Sequence, residues 1–241
     1  MKKIIMLSLN DLKNIRRDPM LLFIILGPIL LTFLFRFGLP IVDKLLHSHF
    51  SFNLLAFKEL IMGFIMLLVP FLVGILIGLI ILDEKDENLL VYYAVTPITK
   101  QGYLYYRLAM PFVLSFLLTI FMWAFIGFIE LDVIKLLPVA VVTALEAPLI
   151  TLAMAVFASN KVEGLAISKG AGVILTIPFI VYFVSSKWVW FGYMVPTFWV
   201  SSAFFHSFNS TLLYAMFVIG GIMIHFIYIK LMLVRFQRTV F

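Results

Sequence analysis

A chain of 241 residues that is 64% hydrophobic and only 12% charged, with a mean hydropathy of +1.15, carries more apolar surface than a water-soluble domain of this length could bury. It belongs among integral membrane proteins, where the formal net charge of +6 reports topology before any affinity for nucleic acid. The lack of cysteine excludes disulfides and thiolate chemistry.

Ahead of the first long apolar run, Ile4, Ile5, Leu9, Leu12 and Ile15 fall on one face at helical spacing. Lys2, Lys3, Asn10, Lys13, Asn14 and Arg17 fall mostly on the other, with Arg16 at the boundary. The pattern predicts an amphipathic helix over residues 1–19 lying in the inner membrane interface, in preference to a plain positive-inside anchor. The apolar run here is too short for a cleavable signal peptide, and no small-residue cleavage site follows it. Asp18-Pro19 then turns the chain into the membrane.

About 20 apolar residues cross a bilayer core as a helix. Six stretches qualify as predicted spans: Met20–Leu39, Leu60–Leu82, Leu108–Ile129, Leu136–Ala158, a short fifth at Gly170–Ser185, and Leu212–Ile229. Pro28, Pro70, Pro111, Pro148 and Pro178 lie within them, which membrane helices tolerate when neighbours satisfy the freed backbone groups. With no internal repeat or low-complexity linker, residues 1–241 read as one all-α transmembrane domain. An even number of spans puts both termini on one side. Thirteen of the 18 Lys and Arg lie on that side and five on the other, so the termini are expected in the cytoplasm.

The stretch DEKDE, residues 83–87, follows the second span directly. Carboxylates oppose the dipole at a helix C-terminus and favour the N-terminus of a following helix. The second span is therefore expected to stop near Leu82 and a new helix to begin near Asn88. That helix, LLVYYAV, is about two turns long, and Pro97 biases Thr96 away from helix and fixes a corner. Thr99 can cap the next helix, which carries Tyr103 and Arg107 into the third span. Two apolar turns are not stable alone in water and need a surface to dock on. An acidic rim of Asp83, Glu84, Asp86 and Glu87 matches an anionic inner leaflet poorly, which favours a cytosolic protein partner over lipid.

Glu146 sits midway along the fourth span, where a carboxylate costs about 2.5–3.5 kcal/mol to insert. It reads either as lining a substrate path or as a protonated group tied to a Ser or Thr of a neighbouring helix, with Pro148 freeing a backbone carbonyl nearby. Residues 186–211, KWVWFGYMVPTFWVSSAFFHSFNS with its flanks, hold three of the four Trp and predict short outer-leaflet or re-entrant helices broken near Pro196. His225 in the sixth span reads as a packed helix-interface residue. His47 and His49 flank Ser48 as a solvated pair, so no metal site is expected. There is no G-x-x-x-x-G-K-[ST] for nucleotide phosphates and no serine-nucleophile turn, so no enzyme is expected on this chain.

In their order, KNIRRDPMLLFIILGP, ILDEKDENLLVYYAVTPITKQGYLYYR and NKVEGLAISKG resemble the type 2 family of ABC-transporter permeases, membrane subunits whose ATPase is a separate polypeptide. With LEAP in the fourth span and NKVEGLA after it, the chain looks most like the fluoroquinolone export permease subgroup. The resemblance covers nearly the whole chain. It implies that Asn88–Thr96 is a coupling helix seated in a cleft of the ATPase, within a coupling segment over 83–107 that includes Asp83, Glu84, Asp86, Glu87, Leu89, Tyr92, Tyr93, Thr96, Pro97 and Arg107. It further implies two copies of an ATPase that bind ATP and Mg, and a second six-span permease, identical or homologous. Together they would export a hydrophobic or amphipathic drug, lipid or peptide across a bacterial cytoplasmic membrane. Ile5, Leu9, Leu12, Arg16 and Arg17 would form the interfacial helix, and Glu146 would line the path. The rival reading is a secondary transporter or channel driven by an ion gradient, which would more often carry several intramembrane acids.

Overall fold

The computed structural model describes residues 19–89, 99–130, 132–184 and 187–240. These residues fold into helices only, with no strand among them. The expected interfacial helix with Ile5, Leu9, Leu12, Arg16 and Arg17 lies outside the described residues, as do Tyr92, Tyr93, Thr96 and Pro97.

In chain order the helices are α1 (Pro19–Phe50), α2 (Lys58–Asp86), α3 (Thr99–Ile126), α4 (Val133–Phe157), α5 (Lys161–Ala171), α6 (Ile177–Phe183), α7 (Pro196–Asn209) and α8 (Thr211–Val240). Short 3-10 turns occupy Leu54–Phe57, Gly172–Thr176 and Lys187–Met194. Among the described residues, five stretches are long and apolar enough to cross a membrane: Leu54–Asp86, Gly102–Ile126, Val133–Phe157, Lys161–Phe183 and Thr211–Arg238. The expected first span falls on α1, whose 32 residues reach about 48 Å at 1.5 Å per residue.

The helix boundaries depart from the predicted spans where side chains find partners at their ends. α1 continues eleven residues past Leu39 because its polar residues are occupied: Arg36 donates to the Ile126 carbonyl at the C-terminal end of α3, and Asp43 accepts from the Leu55 amide at 3.0 Å. A cation at a helix C-terminus satisfies a carbonyl with no intrahelical donor. α2 runs to Asp86 instead of stopping near Leu82. The fifth crossing begins at Lys161, nine residues before the predicted Gly170, so NKVEGLAISKG is helix and not loop. Asn160 caps it by accepting from the Glu163 amide at 2.9 Å, and the Glu163 carboxylate reaches back to the Ser159 amide at 2.7 Å. Within this crossing the chain tightens into the 3-10 turn before Pro178, which lacks the amide needed to continue an α-helical ladder.

α2 and α4 form the centre of the bundle. Their apolar windows are 89% and 78% buried, against 33% for α3 and 28% for α8. This follows from an approach at Gly74, where a β-carbon would lie 2.7 Å from Ile150 Cβ and 2.8 Å from the Ala147 carbonyl oxygen. The Gly74 carbonyl in turn accepts from Thr151 Oγ1 at 3.1 Å. α3, α8 and α7 pack around this pair, and α1 lies outside against α2 and α3. Leu30, Leu34, Phe37 and Ile41 form an exposed stripe along α1. Such a stripe suits hydrocarbon and not water.

Gly74→Ala should destabilise the fold by about 1–3 kcal/mol by overpacking, although Ala is ordinarily the better helix former. Gly38→Ala, with nothing within 4 Å of the new methyl, should be neutral or stabilising. Thermal melts of both variants in one detergent check the contrast.

Candidate functional site

The charges of DEKDE are mostly spent inside the chain. Asp83 pairs with Lys161 Nζ at 2.8 Å, and Asp86 accepts from the Lys161 backbone amide at 3.1 Å. Lys85 Nζ donates to the Ala158 carbonyl at 3.0 Å. These bonds fasten the last turn of α2 to the corner between α4 and α5, and offset the cost of placing carboxylates at a helix C-terminus. Glu87 is exposed and caps the helix, its amide donating to the Asp83 carbonyl at 3.0 Å. Asn88 closes the turn in the left-handed region, with φ of 58°, a conformation that Asn tolerates better than most residues.

Glu84 points inward. It is 6% exposed and forms an ion pair with Arg107, which is 1% exposed on α3. Tyr103 Oη donates to the other carboxylate oxygen at 2.6 Å. The Arg107 guanidinium lies over the rings of Tyr103 and Tyr106, 5.6 and 5.4 Å from their centroids. The sequence placed Glu84 on an exposed acidic rim; the structure buries it against α3, and leaves Asp86 and Glu87 outside. The missed signal is the spacing Tyr103…Arg107, one helical turn, which puts a phenol and a guanidinium on one face directly opposite the acidic turn. Leu89 begins the next helical residue and is half-buried. The remainder of the expected coupling helix lies outside the described residues.

The second polar centre lies in the middle of the bundle. Glu146, 3% exposed on α4, faces His225, fully buried on α8, with Oε1 and Nε2 3.4 Å apart. The other ring nitrogen, Nδ1, is 2.6 Å from the Gly221 carbonyl. Glu146 is thus buried within its own chain. Ser115 and Thr119, one turn apart on α3, are also fully buried. No group of three or more potential metal ligands occurs among the described residues.

At the end of the bundle opposite DEKDE, the chain after α6 doubles back. Tyr228 Oη of α8 donates to the Met194 carbonyl at 2.8 Å, and Trp199 Nε1 donates to the Tyr193 carbonyl at 2.8 Å. α7 then runs antiparallel to α8, and Ser207 near its far end accepts from Lys135 Nζ at 2.7 Å beside the start of α4. The turn at Met194–Pro196 therefore lies near Tyr228, well inside the length of α8.

Removing either member of the Glu84–Arg107 pair strands a buried charge. Glu84→Ala and Arg107→Ala should each cost about 3–5 kcal/mol, whereas Glu84→Leu combined with Arg107→Met should recover most of that loss. Denaturation in mixed micelles, analysed as a double-mutant cycle, reads the coupling.

Comparison with known proteins bears on the whole chain. Residues 11–233 match the family model described as fluoroquinolones export permease protein Rv2686c-like. Two curated relatives are the fluoroquinolones export permease proteins MT2760 and Rv2686c of Mycobacterium tuberculosis, strains CDC 1551 / Oshkosh and H37Rv. Each is 28% identical over 199 residues, covering 81% of this chain and 79% of its own. No solved structure matches. The match spans the α2–α3 connection, the NKVEGLA helix and the central α2–α4 pair, and on it the chain belongs to the Rv2686c-like fluoroquinolones export permease family.

Proposed function

We propose that this permease is the membrane-spanning subunit of an ATP-driven exporter, and that a separate ATPase drives it through the connection between α2 and α3. The observation that carries the reading is the buried cluster of Glu84, Arg107 and Tyr103 at the two roots of that connection. A connection rooted in two independent helices would dissipate a push by splaying them. Here a desolvated ion pair, costly to break, makes the ends of α2 and α3 one body. The bonds of Asp83, Lys85 and Asp86 to Lys161 and Ala158 add the α4–α5 corner. Displacement of the connection then moves four helices together. Asp86 and Glu87 are left as the exposed acidic groups facing an ATPase.

In this reading α1 supplies the sixth crossing, both termini are cytoplasmic, and two such subunits, identical or homologous, enclose the path above two ATPases that bind ATP and Mg. Residues 187–209 dip into the membrane from the outer side and return, which the Tyr228–Met194 bond supports. Irregular backbone at that depth is tolerable because it is packed against protein. Both relatives are named for export of fluoroquinolones, so planar aromatic amphipathic molecules of that kind are the first substrates to assay.

Glu87→Lys should weaken copurification with the cognate ATPase by about tenfold, a modest loss of charge complementarity, without lowering the melting temperature of the permease. Glu84→Lys should lower the melting temperature itself. Normal ATPase capture and normal ATP-dependent export by Glu87→Lys would remove the acidic rim from the coupling surface; export by the purified permease alone, without ATP, would overturn the ATP-driven reading.

A further inference from the structure

We propose that the groove between α3 and α8 at the DEKDE end of the bundle is a binding site for an anionic phospholipid, which it holds by the phosphate headgroup. Both helices pack against α4 and leave between them a gap of about 150 Å³. Leu104, Tyr105 and Leu108 line it from α3, and Leu233 and Gln237 from α8.

The gap lies at headgroup depth. On α8 the 19 residues from Thr211 to Ile229 include no Asp, Glu, Lys or Arg. At about 1.5 Å per residue they reach about 28 Å, close to the thickness of a hydrocarbon core. Lys230 follows at once and is exposed. On α3 the 19 residues from Leu108 to Ile126 are likewise uncharged, and Tyr105 stands exposed just before them. Tyr105 and Leu233 therefore fall in the layer where tyrosine and lysine side chains meet headgroups.

The order of side chains along α8 is that of a lipid. Met223, Phe226, Lys230, Leu233 and Gln237 recur at spacings of three and four and so share one face of the helix. Met223 and Phe226 are exposed and apolar, Lys230 is an exposed cation, and Leu233 and Gln237 line the gap. An acyl chain can lie along Phe226 and Met223 while its phosphate meets the Lys230 ammonium, the Gln237 amide and the Tyr105 hydroxyl, all of which donate.

Charge selects among lipids. Neither α3 nor α8 carries an Asp or a Glu. Arg107 is spent on Glu84, and Arg235 lies over the Phe157 ring, 4.8 Å from its centroid. Lys230 and Arg238 are exposed, and neither side chain has a hydrogen bond or an ion pair among the described residues. Of the carboxylates at this end, Asp83 pairs with Lys161 and Glu84 with Arg107. The groove thus presents positive charge that its own walls do not offset, which suits an anionic headgroup better than a zwitterionic one. A soluble acidic protein or free phosphate would answer the same charge, but neither would cover Phe226 and Met223 at hydrocarbon depth.

The test is native mass spectrometry of the full chain in detergent, with phosphatidylglycerol or phosphatidylcholine of identical acyl chains added. Phosphatidylglycerol should be retained in preference, and Lys230→Gln and Arg238→Gln should each weaken its retention about fivefold without changing that of phosphatidylcholine. Lys44→Gln, which removes an exposed cation of α1, should change neither. Tyr105→Phe combined with Gln237→Leu, both at exposed positions, removes the donors of the groove and keeps its cations; retention of phosphatidylglycerol should fall here too. Equal retention of the two lipids would overturn the site. Full retention by the Tyr105→Phe, Gln237→Leu variant would reduce it to diffuse attraction by surface cations and overturn it as well. Inorganic phosphate that raises the melting temperature as much as phosphatidylglycerol does would reassign the groove to a soluble anion. Loss of ATPase copurification by Lys230→Gln with lipid retention unaltered would reassign it to a protein partner. Either result refutes the lipid.

Discussion

A carboxylate and a guanidinium removed together from water govern how this permease is assembled at its DEKDE end. Glu84 and Arg107 are exposed by no more than a few per cent, and each would be untenable alone at that burial. Together with the Tyr103 hydroxyl they compel α2 and α3 to meet in one register. Once that register is set, Asp83 and Asp86 are delivered to Lys161, and Lys85 to the Ala158 carbonyl. A hydrophobic contact of the same area would tolerate sliding by a turn. An ion pair flanked by directional hydrogen bonds does not.

The interior is organised around a different constraint. α2 and α4 run side by side at a glycine, and the remaining helices are arranged on their flanks. Such close approach leaves little room for rearrangement between these two. On the flank, α8 meets α4 through the Glu146–His225 pair and the close approach of Gly221 to Val142, and the fifth crossing changes from α-helix to 3-10 turn and back.

Much of this was legible in the sequence. The apolar runs located the crossings because a bilayer imposes a length, and α4 in particular begins and ends within a few residues of its predicted span. Helix ends were less legible, since they depend on partners far along the chain: Arg36 on Ile126, Asp83 on Lys161. For the same reason Glu84 reads in sequence as part of an acidic rim, although it is buried. A run of acidic residues looks uniform in sequence, yet helical rotation turns Glu84 inward and Glu87 outward. The pairing of Glu146 with His225 joins residues 79 positions apart, and only the antiparallel packing of α4 and α8 brings them together. The family, by contrast, was accessible because its motifs are stretches of contiguous sequence, readable without knowing what each side chain touches.

A single residue, Ser210, separates α7 from α8, and the Trp199 ring lies against the bare backbone of Gly220, where a β-carbon would come within 2.1 Å of it. With so short a joint and so tight a seat, the two helices form a welded hairpin. Its looser border lies on the far flank, where Ile177, Ile180 and Val184 meet Phe191, Val195 and Phe198 around an apolar gap of about 280 Å³. The hairpin is thus fixed firmly to the last helix and only loosely packed against the fifth crossing.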